Sequence, residues 1–292
     1  MPRPTAYSRD VVGYLKNRMN NHVKNQHYVP QFLLRNFSSR AGKFIWAFDK
    51  NEKYSAQNQI KERAIKKVAS EEYFYDQFKN SRIGSYEYAL QKAEDNSAPI
   101  VEKIIESRSI VNLTEEERRT LSFFITLQSL RTKGQLLQTE SFLNTLYDQL
   151  KTKANIRIPK IDHKEIWFSM LEQSTNLYGI LMNKVWMLSE SIKEFIISDN
   201  PVTLQNTINR SEIRGTLGLD SYGIEIYLPI SPSLTICFFC EKFFSNSGYE
   251  KNFLPNLICK PENVENLNSL QIAYSERFIF SHKNEFGLVK RI

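Results

Sequence analysis

Cysteine, glycine and proline are all scarce in this chain of 292 residues, with three, ten and ten copies, and each scarcity narrows what the chain can be. Three cysteines cannot staple a disulfide scaffold. With 41% hydrophobic and 12% aromatic residues, the chain is able to bury a core without one. Few Gly and Pro, no internal repeat and no low-complexity tract leave no obvious linker. No apolar run approaches the ~20 residues that span a bilayer, and the opening MPRPTAYSRD lacks the apolar stretch and small-residue cleavage site of a signal peptide. A cytoplasmic protein without membrane contact is expected. Gly-rich phosphate loops, a recognisable Ser-His-Asp spacing and the familiar nuclease signatures PD-(D/E)xK and HxH are missing too, so no single motif names a reaction.

The one tempting cysteine pair, Cys237 and Cys240, has the Cys-x-x-Cys spacing of half a zinc site. It lies in an apolar run that reads as a buried strand, where residues three apart point to opposite faces and cannot share one ion.

Charge is unevenly placed. Residues 1–40 hold seven cations (Arg3, Arg9, Lys16, Arg18, Lys24, Arg35, Arg40) against Asp10 alone, so +6 of the net +7 lies there. Such a segment either concentrates a polyanion such as RNA or DNA, with salt-dependent affinity, or serves as a solvated arm that aids solubility.

The pattern divides into residues 1–24, a basic arm with a helix over 8–23, and residues 25–292, one α+β domain with a helical lobe at about 85–182. Lys43 to Phe48 and Tyr73 to Tyr75 read as strands by aromatic and β-branched content. A helix is expected over 85–107. Another starts at Thr114, where Thr-Glu-Glu-Glu is a capping box, and runs to about 139 as a buried central helix. Further helices are expected over 141–153, 163–182 and 262–274. Strands are expected at 185–188, 195–198, 224–228, 234–239 and 278–281, with Pro229 and Pro232 locking a corner after Leu228. The expected architecture is a helical middle packed on a mostly antiparallel sheet formed from both chain ends.

Polar residues stand out where burial is predicted. Asn25 to Phe37 sets His27, Gln31 and Arg35 among apolar neighbours. At 100° per residue Gln128 and Arg131 share a face with Leu121 and Phe124, and a buried guanidinium requires an anion, either internal or from a ligand. Glu87 and Glu94, seven apart, share a helix face and either bind a cation, pair with Arg131 or form a solvated edge. Asp199 and Asn200 end an apolar run in Ser-Asp-Asn-Pro, a turn sequence that is also where α+β enzymes place an acid or a metal ligand.

These segments resemble an uncharacterised, mainly bacterial domain-of-unknown-function family, numbered 4238. The resemblance rests on His-Tyr-Val-Pro-Gln-Phe-Leu-Leu-Arg-Asn-Phe at 27–37, Tyr-Glu-Tyr-Ala-Leu-Gln-Lys-Ala-Glu at 86–94, Gln128 to Thr132, Ser198 to Val202, Leu228 to Pro232, and Asn268 with Gln271. It covers about residues 25–282 and brings no established activity. It implies that His27, Gln31, Arg35, Glu87, Glu94, Arg131 and Asp199 occupy the polar motif positions and converge in one pocket.

Such a pocket suits metal-dependent hydrolysis of phosphodiester bonds in RNA or DNA, in a defence or toxin setting. Glu87, Glu94 and Asp199 would hold Mg2+ or Mn2+. His27, Asp199 and Glu87 would do the acid–base work, and Gln31, Arg35, Gln128, Arg131 and Asn200 would hold the substrate. Two other readings fit the same residues. One is a non-catalytic sensor that binds nucleic acid or a protein. The other is a nucleotide-processing enzyme whose Tyr28 and Phe32 stack on a base.

Overall fold

The computed structural model describes residues 23–51, 56–79, 82–153, 162–208, 217–244 and 256–289; the expected basic arm and its helix over 8–23 lie almost wholly outside them. Along the described chain run β1 (Asn25–His27), α1 (Gln31–Arg35), β2 (Phe44–Asp49), α2 (Ala56–Gln59), β3 (Ile60–Ala64), a 3-10 turn (Ile65–Lys67), β4 (Ser70–Glu72), β5 (Asp76–Lys79) and β6 (Arg82–Ser85). Four long helices follow: α3 (Glu87–Ser107), α4 (Glu115–Leu130), α5 (Lys133–Lys153) and α6 (His163–Met182). The chain then forms β7 (Val185–Glu190), β8 (Ile197–Ser198), β9 (Thr203–Asn206), β10 (Ile224–Ser231), β11 (Leu234–Phe239), α7 (Glu241–Phe244), β12 (Leu257–Ile258), α8 (Pro261–Tyr274) and β13 (Phe278–Ser281). No described helix is long and apolar enough to cross a membrane.

The fold is α+β, with a helical middle and mostly antiparallel strands. The strands form two main sheets. A four-stranded sheet in the order β3-β2-β13-β8 joins the chain ends, with Phe278 opposite Asp49 and Ser281 opposite Trp46. A five-stranded sheet in the order β12-β7-β11-β10-β9 is built from the C-terminal part alone, and only its β12–β7 pairing is parallel. Two ribbons, β1 with β4 and β5 with β6, carry the remaining pairings.

Helix α4 starts as its sequence dictates. Thr114 Oγ1 accepts from the Glu117 amide at 3.2 Å while Glu117 Oε2 accepts from the Thr114 amide at 2.7 Å, and Glu115, Glu116 and Glu117 place negative charge at the positive end of the helix dipole. Residues 120–128 are buried on every face of the helix. It packs between α3 and α6, and its Leu121, Phe124 and Leu127 join Tyr28, Leu33, Trp167, Trp186 and Phe280 in one core.

The chain departs from expectation at three places. The helix expected to reach residue 139 stops at Leu130 and a new one begins at Lys133; at the break the Trp167 indole N–H donates to the Leu130 carbonyl at 2.8 Å and the buried Tyr75 hydroxyl to the Arg131 carbonyl at 2.9 Å. Tyr73 to Tyr75 form a turn and not a strand. Tyr73 takes φ 54°, and Phe74 and Tyr75 pack their rings against Trp167 at 5.2 and 5.7 Å. Strand β10 continues through Pro229 to Ser231 across a bulge, where a corner was expected. Its pairing with β9 ends at Tyr227, so Pro229 has no ladder bond to break on that side.

Candidate functional site

Gln128 and Arg131, three apart at the end of α4, reach the same short stretch of backbone. Gln128 Nε2 donates to the Tyr28 carbonyl at 2.9 Å, and Arg131 Nη2 donates to the His27 carbonyl at 2.6 Å. Two successive carbonyls of the His27 segment are therefore held from one helix terminus. Arg131 is 1% exposed. It pairs through Nη2 with Glu94 Oε1 of α3 at 2.7 Å, donates from Nε to Tyr75 at 3.2 Å, and lies 5.5 Å over the Tyr75 ring. Behind Tyr75, the buried Gln26 accepts from the Tyr75 amide at 2.5 Å and donates to Asp76 at 2.7 Å.

This interior network is not fully satisfied. His27 Nε2, Glu87 Oε2, Gln128 Oε1 and Arg131 Nη1 are buried and lack a hydrogen-bond partner among the described residues. Burial, assisted by Arg131 and Arg35, pushes the His27 imidazole down to about 4, against the pull of a hydrogen bond to the Ile65 carbonyl. Histidine 27 is therefore neutral at pH 7. Burial likewise lifts Glu87 to about 7, with Arg131 opposing and the carboxylates of Glu94 and Asp76 reinforcing. Burial also raises Glu94, which Arg131 pulls back.

Asp199 comes from the C-terminal part of the chain, and, besides burial, its charge is near enough to help raise the Tyr28 phenol. It follows β8, and its two oxygens accept from the backbone amides of Glu276, Arg277 and Phe278, each at 2.8 Å. These bonds tie the Ser-Asp-Asn-Pro turn to the entry of β13. Burial raises this carboxyl to about 6 while the three amides hold it down. Its neighbour Asn200 donates to the Tyr274 carbonyl at 2.8 Å and presses on the first turn of α5, where an added Cβ on Gly134 would lie 2.0 Å from Asn200 Nδ2.

Gln31 and Arg35 lie on the outer face of α1, where Arg35 donates to Gln31 at 3.2 Å. They line an open cleft of about 480 Å³ together with Ala41, Gly42, Lys43, Phe44, Ala64, Ile65 and Lys66. One wall is a tight turn. The Lys43 amide donates to the Arg40 carbonyl at 2.9 Å, and Ala41 and Gly42 both take positive φ, 42° and 73°, the backbone of a primed hairpin turn. Among the described residues, three cations and no acid line this cleft. Ile65, whose carbonyl holds His27, is part of its wall.

The expected residues therefore fall into three groups. His27, Glu87, Glu94, Gln128 and Arg131 form one interior network; Gln31 and Arg35 line the cleft beside it; Asp199 and Asn200 lock a turn. Both oxygens of Asp199 and one of Glu94 are already engaged, so Glu87, Glu94 and Asp199 do not offer one Mg2+ or Mn2+ three free carboxylates. Among the described residues no group of three His, Cys, Asp or Glu side chains is placed to hold a metal. Cys237 and Cys240 are buried free thiols. Tyr28 is buried with its ring 5.5 Å from Phe74, and the partly buried Phe32 packs 5.4 Å from Phe124. Sequence reasoning missed Lys43, Phe44 and Lys66. The basic run Lys61 to Lys67 was a hint of Lys66 alone.

The molecule is an α+β scaffold whose polar motif residues hold the His27 segment behind a cationic cleft. The chain belongs to the family described as Protein of unknown function (DUF4238), whose model matches residues 25–285. No curated protein and no solved structure matches it.

Proposed function

We propose that this protein binds the phosphates of a nucleic acid in the cleft of Gln31, Arg35, Lys43 and Lys66 and acts as a recognition module. The observation that carries this reading is the lining itself, which brings three cations to one concave surface with no acid among the described residues that form it. Unneutralised cations held close together repel one another, and an anion relieves that repulsion while releasing its own counterions. A planar guanidinium beside two ammonium groups offers both forked and point-charge contacts to phosphate.

Binding fits this chain better than metal-assisted hydrolysis because the carboxylates that would hold the ion are engaged with partners of the protein itself: Asp199 with three backbone amides and Glu94 with Arg131. The test is fluorescence anisotropy of the full chain with labelled RNA and DNA oligonucleotides over a salt series. Three phosphate contacts give a slope of log Kd against log salt near ~2 for a single strand, and Arg35→Ala with Lys66→Ala should flatten it. Affinity that is absent, or indifferent to salt and to these substitutions, overturns the reading. The same samples run on a gel with Mg2+ or Mn2+ should show intact strands; cleavage lost in Glu87→Gln would favour the hydrolytic reading instead.

A further inference from the structure

We infer that the cleft takes a single unpaired nucleotide, with its phosphate on Arg35, Lys43 and Lys66 and its base on the Phe44 ring, so that the preferred partner is single-stranded. This inference rests on the reading of the cleft as a nucleic-acid site. Its volume of about 480 Å³ lies within the range of pockets that enclose small ligands, roughly 300–1,000 Å³. That space suits one nucleotide and not the broad face of a duplex.

The aromatic residue is the second observation. Phe44, Trp46 and Phe48 share one face of β2 by strand alternation, with Ile45, Ala47 and Asp49 on the other. Trp46 and Phe48 are covered by a cluster that includes Phe286, Ile272 and Leu288, whereas Phe44 is not part of it. Phe44 is 38% exposed and is one of the residues that line the cleft. An uncovered ring beside cations is the recurrent arrangement for an unpaired base, because every base offers a π-face and its phosphate lies one sugar away. Gln31 adds an amide whose oxygen accepts from Arg35 and whose NH2 group makes no hydrogen bond with a described residue, which leaves a donor for a base edge.

The experiment compares one sequence as a single strand and as a blunt duplex, with inorganic tripolyphosphate as a competitor that has charge but no base. The expected result is binding of the single strand at least tenfold tighter than the duplex. Phe44→Leu, which keeps apolar bulk without a π-face, should weaken single-strand binding by about tenfold or more and leave competition by tripolyphosphate unchanged. Phe44→Trp should restore affinity, which shows that loss in the Leu variant is not a folding defect. Equal affinity for single strand and duplex, or a Phe44→Leu variant that binds as the parent does, overturns the inference. In that event the phosphate-binding reading still stands if Arg35→Ala with Lys66→Ala abolishes binding. It falls as well if neither the oligonucleotide nor tripolyphosphate binds.

Discussion

One nitrogen of Arg131 ties a strand to a helix: Nη2 lies 2.6 Å from the His27 carbonyl and 2.7 Å from Glu94 Oε1. Removing the guanidinium leaves a buried carboxylate and a buried carbonyl without their donor. Arg131→Met should therefore cost about 3–5 kcal/mol in urea melts, the usual penalty for breaking a buried pair. Arg131→Met combined with Glu94→Gln should cost less than the sum of the two single changes, because the orphaned charge is gone. A variant that keeps full stability but loses oligonucleotide binding would instead make Arg131 a ligand contact.

Two interior groups give stability opposite dependences on pH. His27 titrates near 4 in the fold, below its ordinary value of 6.5, so the unfolded chain binds more protons between those values and stability falls as pH drops from 6.5 towards 4. Glu87 titrates near 7 in the fold, above its ordinary 4.5. The folded chain binds more protons in that window, and stability falls as pH rises from 4.5 to 7. Glu87→Gln should raise the melting temperature at pH 8, by at most ~3 kcal/mol in stability, and change little at pH 4. His27→Asn should flatten the acid limb. Melting curves at pH 4, 6 and 8 that superimpose for the parent and both variants would contradict this assignment.

The parts of this molecule visible in its sequence are those set by neighbours in the chain. The Thr114 capping box, the all-round burial of α4 and the C-terminal strands follow from residues a few positions apart. The end of α4 does not, because the side chains that bond the carbonyls there come from Tyr75 and Trp167, 56 and 37 positions away. Tyr73 to Tyr75 carry strand-forming side chains, yet Tyr73 is left-handed because Phe74 and Tyr75 are drawn into the core around Trp167. The candidate site shows the same division. Gln31 and Arg35, one helical turn apart, point to a polar surface, whereas Lys43, Phe44 and Lys66 join them only through the pairing of β2 with β3, which sets Phe44 opposite Ala64. The importance of Asp199 was legible, but its role depended on amides at 276–278 that no local pattern connects to it.

That role has a consequence for mutagenesis. If Asp199 works through three backbone amides, Asp199→Asn replaces one acceptor oxygen by a donor facing an amide N–H and should destabilise by about 1–3 kcal/mol. Asp199→Ala should cost at least as much. Oligonucleotide affinity, measured well below the melting temperature, should match the parent, since this residue does not line the cleft. A variant of parental stability with lost binding or lost strand cleavage would place Asp199 in the working site.

Gly134 offers the most local test of the packing. In the first turn of a helix, Gly→Ala ordinarily favours folding by up to ~1 kcal/mol. Here the added methyl would meet Asn200 Nδ2 at 2.0 Å, with Asn200 Cγ at 3.0 Å, and Asn200 is not free to swing away without losing its bond to the Tyr274 carbonyl. Gly134→Ala should thus destabilise by about 1–3 kcal/mol through overpacking, reversing the usual sign. Asn200→Ala in the same chain removes the obstructing amide, so the double variant should be more stable than Gly134→Ala alone. Thermal melts in which Gly134→Ala stabilises the protein would show that α5 does not pack on the Ser198 to Pro201 turn as closely as these distances require.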